Sequence, residues 1–261
     1  MIKRIISFVS RFIPRHYQQV VVAFLLRSIA IFYKGNNIED PISGKKYRKI
    51  LPYGRLQSRA NALAPHSLSL ERHRLIWLYL KNRTDFFTAQ KRVLHIAPEY
   101  CFIKRFGAMS NIDYYSADLE SPLARVKMDI QAIPFEENKF DVIFCNHILE
   151  HVDDDLLAMR ELYRVMKPGG WGIIQSPVNL DRAVTYEDKT ITAPEDRLKH
   201  FGQKDHVREY GRDYADRMRS VGFKVDEVNL PEYVSAEKIL YHALTPSVEA
   251  AKDTVIYYVS K

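Results

Sequence analysis

The sequence predicts an α/β fold with a mostly parallel β-sheet, because short apolar strands alternate with helical segments through its last two thirds. Two observations on the whole chain agree with this prediction. The length of 261 residues suits one α/β domain with extra segments, and 46% hydrophobic with 27% charged residues are ordinary globular values. The two cysteines, Cys101 and Cys145, exclude a disulfide framework and an all-cysteine zinc site, and they favour a reducing cytoplasm.

Residues 1–36 form a basic, apolar leader, which Pro14 should divide into two helices. Its longest apolar run, residues 20–33, contains Arg27 and is too short to span a bilayer. Residues 1–33 could lie at the inner face of the membrane, with their cations toward lipid phosphates. Alternatively, the leader could pack on the main domain, cover its site as a lid, or act as the arm of a homodimer. We therefore expect a cytoplasmic protein and leave peripheral membrane contact open.

Residues 37–90 are predicted to form a cap segment. The stretches 40–44 and 51–54 are rich in turn-forming residues. A helix should begin near Ser67 or Ser69, since an apolar run follows and gives that helix a broad apolar face.

Residues 91–261 are predicted to form the main α/β domain. Short apolar runs predict strands at 93–96, 112–118, 126–129, 140–145, 171–175, 223–228 and 254–259. Helical patterns predict helices at 101–109, 153–166 and 212–221. In the second of these helices, aspartates at the start and cations at the end suit the helix dipole, and Pro168-Gly169-Gly170 should stop it.

Polar residues follow several of these strands, at the edge of a parallel sheet where ligands bind. Asp118 ends the second strand, 22 residues after Ile96, and could accept hydrogen bonds from ribose hydroxyls. Asp129 follows the third strand and could accept one from an adenine amino group. Alone, either aspartate is more often a helix cap or a surface charge. Two of them at strand ends in one chain favour a nucleoside site.

Four stretches in this region carry a family resemblance: 129–135, 139–143, 147–152 (HILEHV) and 161–170 (ELYRVMKPGG). Together they closely resemble class I S-adenosylmethionine-dependent methyltransferases, over roughly residues 91–261. The resemblance implies a Rossmann-like, seven-stranded, mostly parallel sheet with an antiparallel last strand, and S-adenosylmethionine as cofactor. The cofactor-binding residues it implies are His95, Ala97, Glu99, Asp118, Leu119, Asp129, Ile130 and Asn146.

The first strand and its loop depart from the usual VLDIGCG pattern of this family. His95 stands at the usual acidic position, and Ala97 and Glu99 replace glycines that let the backbone approach the cofactor closely. Pro98 cannot donate an amide hydrogen bond. Glu99 could compensate by binding the methionine ammonium group. The competing interpretation is a degenerate site that binds the cofactor weakly or not at all.

A second resemblance extends over nearly the whole chain. The HIAPE-type first loop and residues 69–74 (SLERHR) resemble a bacterial subgroup of methyltransferase-domain proteins whose cap segment carries two cysteine pairs. Here those positions hold Asp40, Ser43, Ala64 and Ser67. Structural zinc needs about four thiolate or imidazole ligands. We therefore expect no metal, and interpret the cap as a zinc-ribbon-like remnant.

Methyl transfer to oxygen or nitrogen releases a proton, and histidine is the usual base near neutral pH. His147 follows the fourth strand and is the candidate residue for acting as the base or orienting the acceptor, with a role in cofactor packing or structure as the alternative. His151 is interpreted as a helix-start residue. An insertion after the fifth strand could hold an anionic substrate, or could be a solvated loop; its polar residues include His200, His206, Arg208 and Tyr210.

The leading functional hypothesis is methyl transfer to an O or N atom of a small molecule, such as a glycan, a lipid-linked sugar or a secondary metabolite. The first alternative is a non-catalytic binding or scaffold protein with the same fold. The second is an RNA or protein methyltransferase, suggested by the net charge of +7. We rank nucleic acid low as a partner, because no RNA-binding module appears outside the leader. A dehydrogenase is disfavoured because the first loop lacks GxGxxG.

Overall fold

The computed structural model describes residues 15–54, 58–246 and 254–261. The helices are α1 (Arg15–Ile29), α2 (Glu71–Arg83), α3 (Tyr100–Phe106), α4 (Asp155–Val165), α5 (Pro194–Phe201), α6 (Tyr214–Ser220) and α7 (Ala236–Tyr241). The strands are β1 (Lys34–Asp40), β2 (Lys45–Tyr47), β3 (Leu51–Tyr53), β4 (Arg59–Leu63), β5 (Lys91–Ile96), β6 (Ile112–Asp118), β7 (Val126–Lys127), β8 (Phe140–Asn146), β9 (Met166–Gln175), β10 (Tyr186–Glu187), β11 (Arg208–Glu209), β12 (Lys224–Asn229) and β13 (Val255–Ser260).

The chain forms two compact units. The first comprises the described parts of residues 1–89, 99–109 and 229–255, and the second those of 90–98, 110–228 and 256–261. The helix predicted before Pro14 lies outside the described residues.

The second unit is organised around a seven-stranded sheet with the order β12-β13-β9-β8-β5-β6-β7. Strands β5, β6, β7, β8 and β9 pair in parallel, and β13 runs antiparallel to β9. Residues 142–145 of β8 are all buried, as expected for a central strand that is covered on both faces. The predicted fold, including the antiparallel last strand, is confirmed.

The boundary between α4 and β9 differs from the prediction. Asp154 caps α4 by accepting a hydrogen bond from the backbone N–H of Leu157 at 2.8 Å. The helix ends at Val165 and β9 begins at once with Met166, so residues 168–170 lie inside the strand. The pairing of β9 with β8 shifts register in this region, which accommodates Gly169 at φ +75°. The strand is therefore longer than the predicted 171–175.

In the first unit, two hairpins, β1–β2 and β3–β4, carry a buried polar cluster. Asp40 Oδ2 accepts a hydrogen bond from Ser43 Oγ at 2.5 Å, and Oδ1 accepts one from Ser69 Oγ at 3.2 Å. Ser67 Oγ lies 2.9 Å from Ser69 Oγ. Asp40, Ser43 and Ser67, three of the four positions predicted to be remnants of a zinc site, are thus joined to one network by hydrogen bonds.

Arg74 of α2 lies fully buried in the same unit. Its guanidinium donates to the carbonyl oxygens of His242 at 2.8 Å, Ala243 at 2.5 Å, Ala62 at 3.0 Å and Ser69 at 3.0 Å. Burial lowers the pKa of Arg74 to about 10, so the side chain remains charged at neutral pH. One buried cation therefore ties α2 to β4 and to the residues that follow α7.

Helix α1 and the 3₁₀ turn after it expose large apolar side chains. Phe24, Ile31 and Phe32 are each 71% exposed. Arg27 lies on the same helix and donates from Nε to the carbonyl oxygen of His66 at 3.0 Å. Among the described helices, none has the length and apolar character needed to cross a bilayer.

Candidate functional site

The carboxyl ends of the parallel strands meet at one edge of the sheet. In the pairing register Ile96 lies opposite both Ala117 and Cys145, and Asn146 lies opposite Gln175. The residues that directly follow these positions therefore share that edge, as predicted for ligand-binding loops of α/β sheets.

The loop after β5 makes a tight turn although Ala97 stands where a glycine was expected. Ala97 has φ +46°, and its N–H donates to the carbonyl oxygen of Ala117 at 2.8 Å. A non-glycine residue in the left-handed region costs roughly 1 kcal/mol or more. Ala97 thus adopts the conformation that glycine favours, at the position where the related methyltransferases have glycine.

Asp118 forms the turn after β6. Its Oδ1 accepts hydrogen bonds from the backbone N–H groups of Glu120 at 2.8 Å and Ser121 at 2.7 Å. Both bonds use one oxygen, so Oδ2 can still accept from a ligand hydroxyl. The next residue, Leu119, is exposed and offers an apolar surface beside the carboxylate.

Asp129 follows β7 and is exposed at the same edge. Its Oδ1 accepts from the backbone N–H of Gln131 at 2.8 Å. The adjacent Ile130 is buried. A donor on a ligand can therefore reach the carboxylate of Asp129.

His95 and Asn146 are more deeply placed. His95 is completely buried, with Nδ1 2.9 Å from the hydroxyl of Tyr114 and its ring packed edge-on against Phe144. The whole residue is buried, and the contribution of His95 to cofactor binding stays a prediction. Asn146, at the end of β8, is also buried.

Glu99 belongs to the first unit and precedes α3. Its carboxylate lies 4.0 Å from Nε2 of His73, and both side chains are largely buried. His73 Nδ1 accepts from the backbone N–H of Leu70 at 3.0 Å, which fixes the ring. Within its own unit Glu99 thus has a histidine of the SLERHR segment as neighbour, and its ammonium-binding role stays a prediction.

His147 is held in a strained conformation at the end of β8. It has φ +58°, and its N–H donates to the carbonyl oxygen of Gln175 at 2.7 Å. Its Nδ1 lies 3.5 Å from Glu150 Oε1, and Glu150 Oε2 accepts from Ser176 Oγ at 2.6 Å. Non-glycine residues held at positive φ cluster at functional sites.

The buried carboxylate of Glu150 is ionised. Burial raises its pKa, but the hydrogen bonds from His147 and Ser176 outweigh this effect and hold the pKa below its ordinary value. A carboxylate on Nδ1 fixes the tautomer of a histidine and leaves Nε2 free to take a proton. The geometry therefore fits His147 as a base oriented by Glu150.

Sequence reasoning missed Glu150, although it stands three residues after His147 in the LEH segment. Residues 147–154 form turns and bends, and α4 begins at Asp155, two residues after the predicted start of the helix. The turn also carries His151, whose ring lies edge-on to that of His206 with centroids 4.8 Å apart. Burial lowers the pKa of His206 below its ordinary value.

The insertion after β9 is fixed by Arg208 rather than open to an anion. The buried guanidinium donates to three backbone carbonyl oxygens, those of Leu149 and Val152 at 2.6 Å and that of Asp153 at 3.0 Å. Its Nε donates to Glu187 at 3.1 Å. Because the protein itself engages these donors, Arg208 is neither the predicted substrate-binding cation nor part of a solvated loop.

Comparison with known proteins identifies the central segment. The family model for the methyltransferase domain matches residues 103–174. The ubiquinone/menaquinone biosynthesis C-methyltransferase UbiE of Pseudoalteromonas translucida is 37% identical over 68 residues, which are 26% of this chain and 23% of that protein. UbiE of Escherichia coli O1:K1 / APEC is 35% identical over 68 residues, which are again 26% of this chain and 23% of that protein. The chain thus spans about a quarter of the length of these curated relatives.

Solved structures of methyltransferases are similar at low identity. An S-adenosylmethionine dependent methyltransferase from Mesorhizobium loti has a TM-score of 0.45 and 12% identity, covering 66% of this chain and 92% of that one. The Burkholderia thailandensis 1,6-didemethyltoxoflavin-N1-methyltransferase, solved with 1,6-didemethyltoxoflavin and S-adenosylhomocysteine bound, has a TM-score of 0.43 and 14% identity over 72% of this chain and 75% of that one. The family-model match confirms the predicted resemblance to methyltransferases.

Proposed function

We propose that this chain is an S-adenosylmethionine-dependent methyltransferase that transfers a methyl group to an oxygen or nitrogen atom of a small-molecule acceptor. One observation carries the proposal. Asp118, at the end of β6, and the His147–Glu150 pair, beyond β8, follow strands whose carboxyl ends meet at the same edge of the sheet. The methyltransferase-domain match at residues 103–174 includes all three residues and supports this assignment.

The residues at the sheet edge fit the nucleoside part of the cofactor. Oδ2 of Asp118 would accept from a ribose hydroxyl, and the Asp129 carboxylate from an adenine amino group, since backbone N–H groups occupy only Oδ1 of each. Leu119 adds exposed apolar surface for the base. The positive φ of Ala97 keeps the first loop tightly turned at the end of β5. When bound, S-adenosylmethionine supplies an electrophilic methyl group on a sulfonium sulfur.

His147 would act on the acceptor. Glu150 holds Nδ1 of His147, so Nε2 can take the proton that a hydroxyl or ammonium acceptor must lose. Ser176 and the burial of Glu150 keep the pair in place, which limits the motion of the base.

The proposal predicts that Asp118→Asn weakens cofactor binding by about 10- to 100-fold, the worth of a hydrogen bond to a charged group. Isothermal titration of the full chain with S-adenosylmethionine and S-adenosylhomocysteine measures this. Asp113→Asn is the matched control, because Asp113 lies on the same strand and pairs with Arg92 at the surface. It should bind like the wild type. A folded wild type that binds neither ligand, or equal affinities for the two variants, would refute the proposal.

We further propose that α1 and the turn after it bind an anionic lipid surface. Phe24, Ile31 and Phe32 are exposed together, and residues 15–38 contain Arg15, Arg27 and Lys34 but no acidic residue. Apolar side chains that enter the interface, with cations toward lipid headgroups, are typical of peripheral binding.

Cosedimentation with phosphatidylglycerol and phosphatidylcholine vesicles tests this second proposal. The wild type should bind the anionic vesicles, and Phe24→Ser combined with Phe32→Ser should reduce binding by about tenfold or more, since each buried phenylalanine contributes about 1.5–3 kcal/mol. Val184→Ser, at another exposed apolar residue, is the control and should bind normally. Unchanged binding by the double variant contradicts the proposal, as does a wild type that binds no vesicle and forms a dimer instead.

A further inference from the structure

Three metal-ligating side chains converge beside the candidate base. Within the part of the chain that the structure describes, Glu150, His151 and His206 each offer one ligand atom, and these atoms lie within 4.8 Å of one another. All three residues belong to the second unit. Two imidazoles and one carboxylate form a ligand set that transition metals use in proteins.

His206 gives an independent indication that a ligand belongs here. The residue is 5% exposed, and its buried Nε2 has no hydrogen-bond partner. A buried ring nitrogen without a partner is unfavourable and rare in native proteins. A cation that accepts a lone pair from Nε2 would remove the deficit.

The ring of His151 is also oriented so that one nitrogen can bind a metal ion. Its Nδ1 lies 3.1 Å from the carbonyl oxygen of Asp205. A carbonyl oxygen can only accept, so Nδ1 carries the proton and the lone pair of the neutral ring is on Nε2. Histidine ligands of metals are commonly oriented by such a hydrogen bond from the other ring nitrogen.

Glu150 completes the set with negative charge. Ser176 donates to Oε2 and His147 lies near Oε1, so these neighbours use two of the roughly four lone-pair positions of the carboxylate. The hydrogen bond from Ser176 also orients the carboxylate, as outer partners of metal ligands do.

We propose that Glu150, His151 and His206 bind one divalent transition-metal ion, with Zn²⁺ as the matching cation. Mg²⁺ and Ca²⁺ prefer oxygen ligands, so two imidazoles select against them. Zinc lies about 2.0–2.2 Å from each nitrogen or oxygen ligand, so the three ligand atoms must move closer together than they lie here to close the site. Three protein ligands leave one position of a tetrahedral zinc ion for water or another oxygen ligand. The proposal is independent of methyl transfer, because metal binding is measured without cofactor or acceptor.

Titration of the chelator-treated full chain with Zn²⁺, followed by calorimetry, tests the site. We expect one Zn²⁺ per chain. His151→Ala and His206→Asn should each reduce the affinity for Zn²⁺ by about 10- to 100-fold or more, because even the loss of a residue that only orients a metal ligand reduces metal affinity by that factor. His200→Ala is the matched control. His200 is exposed like His151, but it lies in the insertion outside the cluster and contacts Tyr186. Co²⁺ should give the visible absorption of a four- or five-coordinate ion in the wild type, and His151→Ala should lose it.

The exposed position of His151 makes its variant decisive if His206→Asn does not fold, which circular dichroism will show. A folded wild type that binds no stoichiometric Zn²⁺ would overturn the proposal. So would a folded His151→Ala chain that binds Zn²⁺ as tightly as the wild type and the His200→Ala control.

Discussion

Replacing Asp155 with alanine should lower the free energy of unfolding by about 3–5 kcal/mol, because it removes one partner from a buried ionic network. Asp155 is buried and accepts hydrogen bonds from Arg217 at 2.6 and 2.9 Å and from the hydroxyl of Tyr210 at 2.8 Å. The buried Arg208 lies 3.9 Å away. Alanine would leave both guanidinium groups without this carboxylate and would leave the Tyr210 hydroxyl only its bond to Leu149.

The same network predicts a pH dependence. Burial raises the pKa of Asp155, but the bonds from Arg217 and Tyr210 and the charge of Arg208 outweigh it, and the pKa lies below its ordinary value. A depressed folded-state pKa stabilises the protein above the unfolded value of about 3.9, and this stability is lost as the pH falls through the folded-state pKa. The difference between wild type and Asp155→Ala should therefore shrink in acid.

Urea unfolding measures both effects. The chain has two tryptophans, one in each unit, so a Trp77→Phe background lets Trp171 report on the second unit. Asp216→Ala is the control, because Asp216 pairs with Arg219 on the surface, where such pairs contribute about 0–1 kcal/mol. A loss below about 1 kcal/mol for Asp155→Ala, or a difference that grows in acid, would contradict the network's role.

Arg74→Met should destabilise the first unit by a similar amount, about 3–5 kcal/mol. Methionine fills most of the volume but removes the Arg74 donor from four buried carbonyl oxygens. That of Ser69 keeps a hydrogen bond from the N–H of Ala64, and each carbonyl left without a donor costs about 1–3 kcal/mol before relaxation. The loss of the buried cation also leaves the carboxylate of Asp40 without its compensating charge.

A Trp171→Phe background isolates Trp77 as the reporter for this variant. Arg72→Met is the matched control, since Arg72 lies on the same helix and is exposed, and it should change the free energy of unfolding by less than about 0.5 kcal/mol. Equal stability of the two variants would mean that Arg74 does not hold the first unit together.

The sheet could be predicted from the sequence because its central strands are continuous apolar runs. Residues 93–96 and 142–145 are buried on both faces, and burial of that kind leaves a clear sequence signal. The end of α4 was harder to predict, because Met166 starts the next strand without a connecting loop. Only the pairing of Met166 with Phe140 shows where that strand begins. Strands β2, β10 and β11 have only two or three residues each, too few for a periodic pattern.

The candidate site was predicted only in part, for a physical reason. Asp118, Asp129 and His147 follow strands directly, so topology alone places them at the sheet edge. The partners of Arg208 are backbone carbonyls more than 50 residues earlier in the chain, and no local pattern encodes them. The burial of His95 against Tyr114 and Phe144 likewise depends on how three strands pack.

A crystal structure of the chain with S-adenosylhomocysteine would test the central claim most directly. We expect ribose hydroxyls within hydrogen-bond distance of Asp118 Oδ2, the adenine beside Asp129, and the sulfur directed toward the side of the sheet edge where His147 lies. The contradicting result is S-adenosylhomocysteine bound away from the ends of β6 and β8, or an empty sheet edge in crystals grown at saturating ligand concentration.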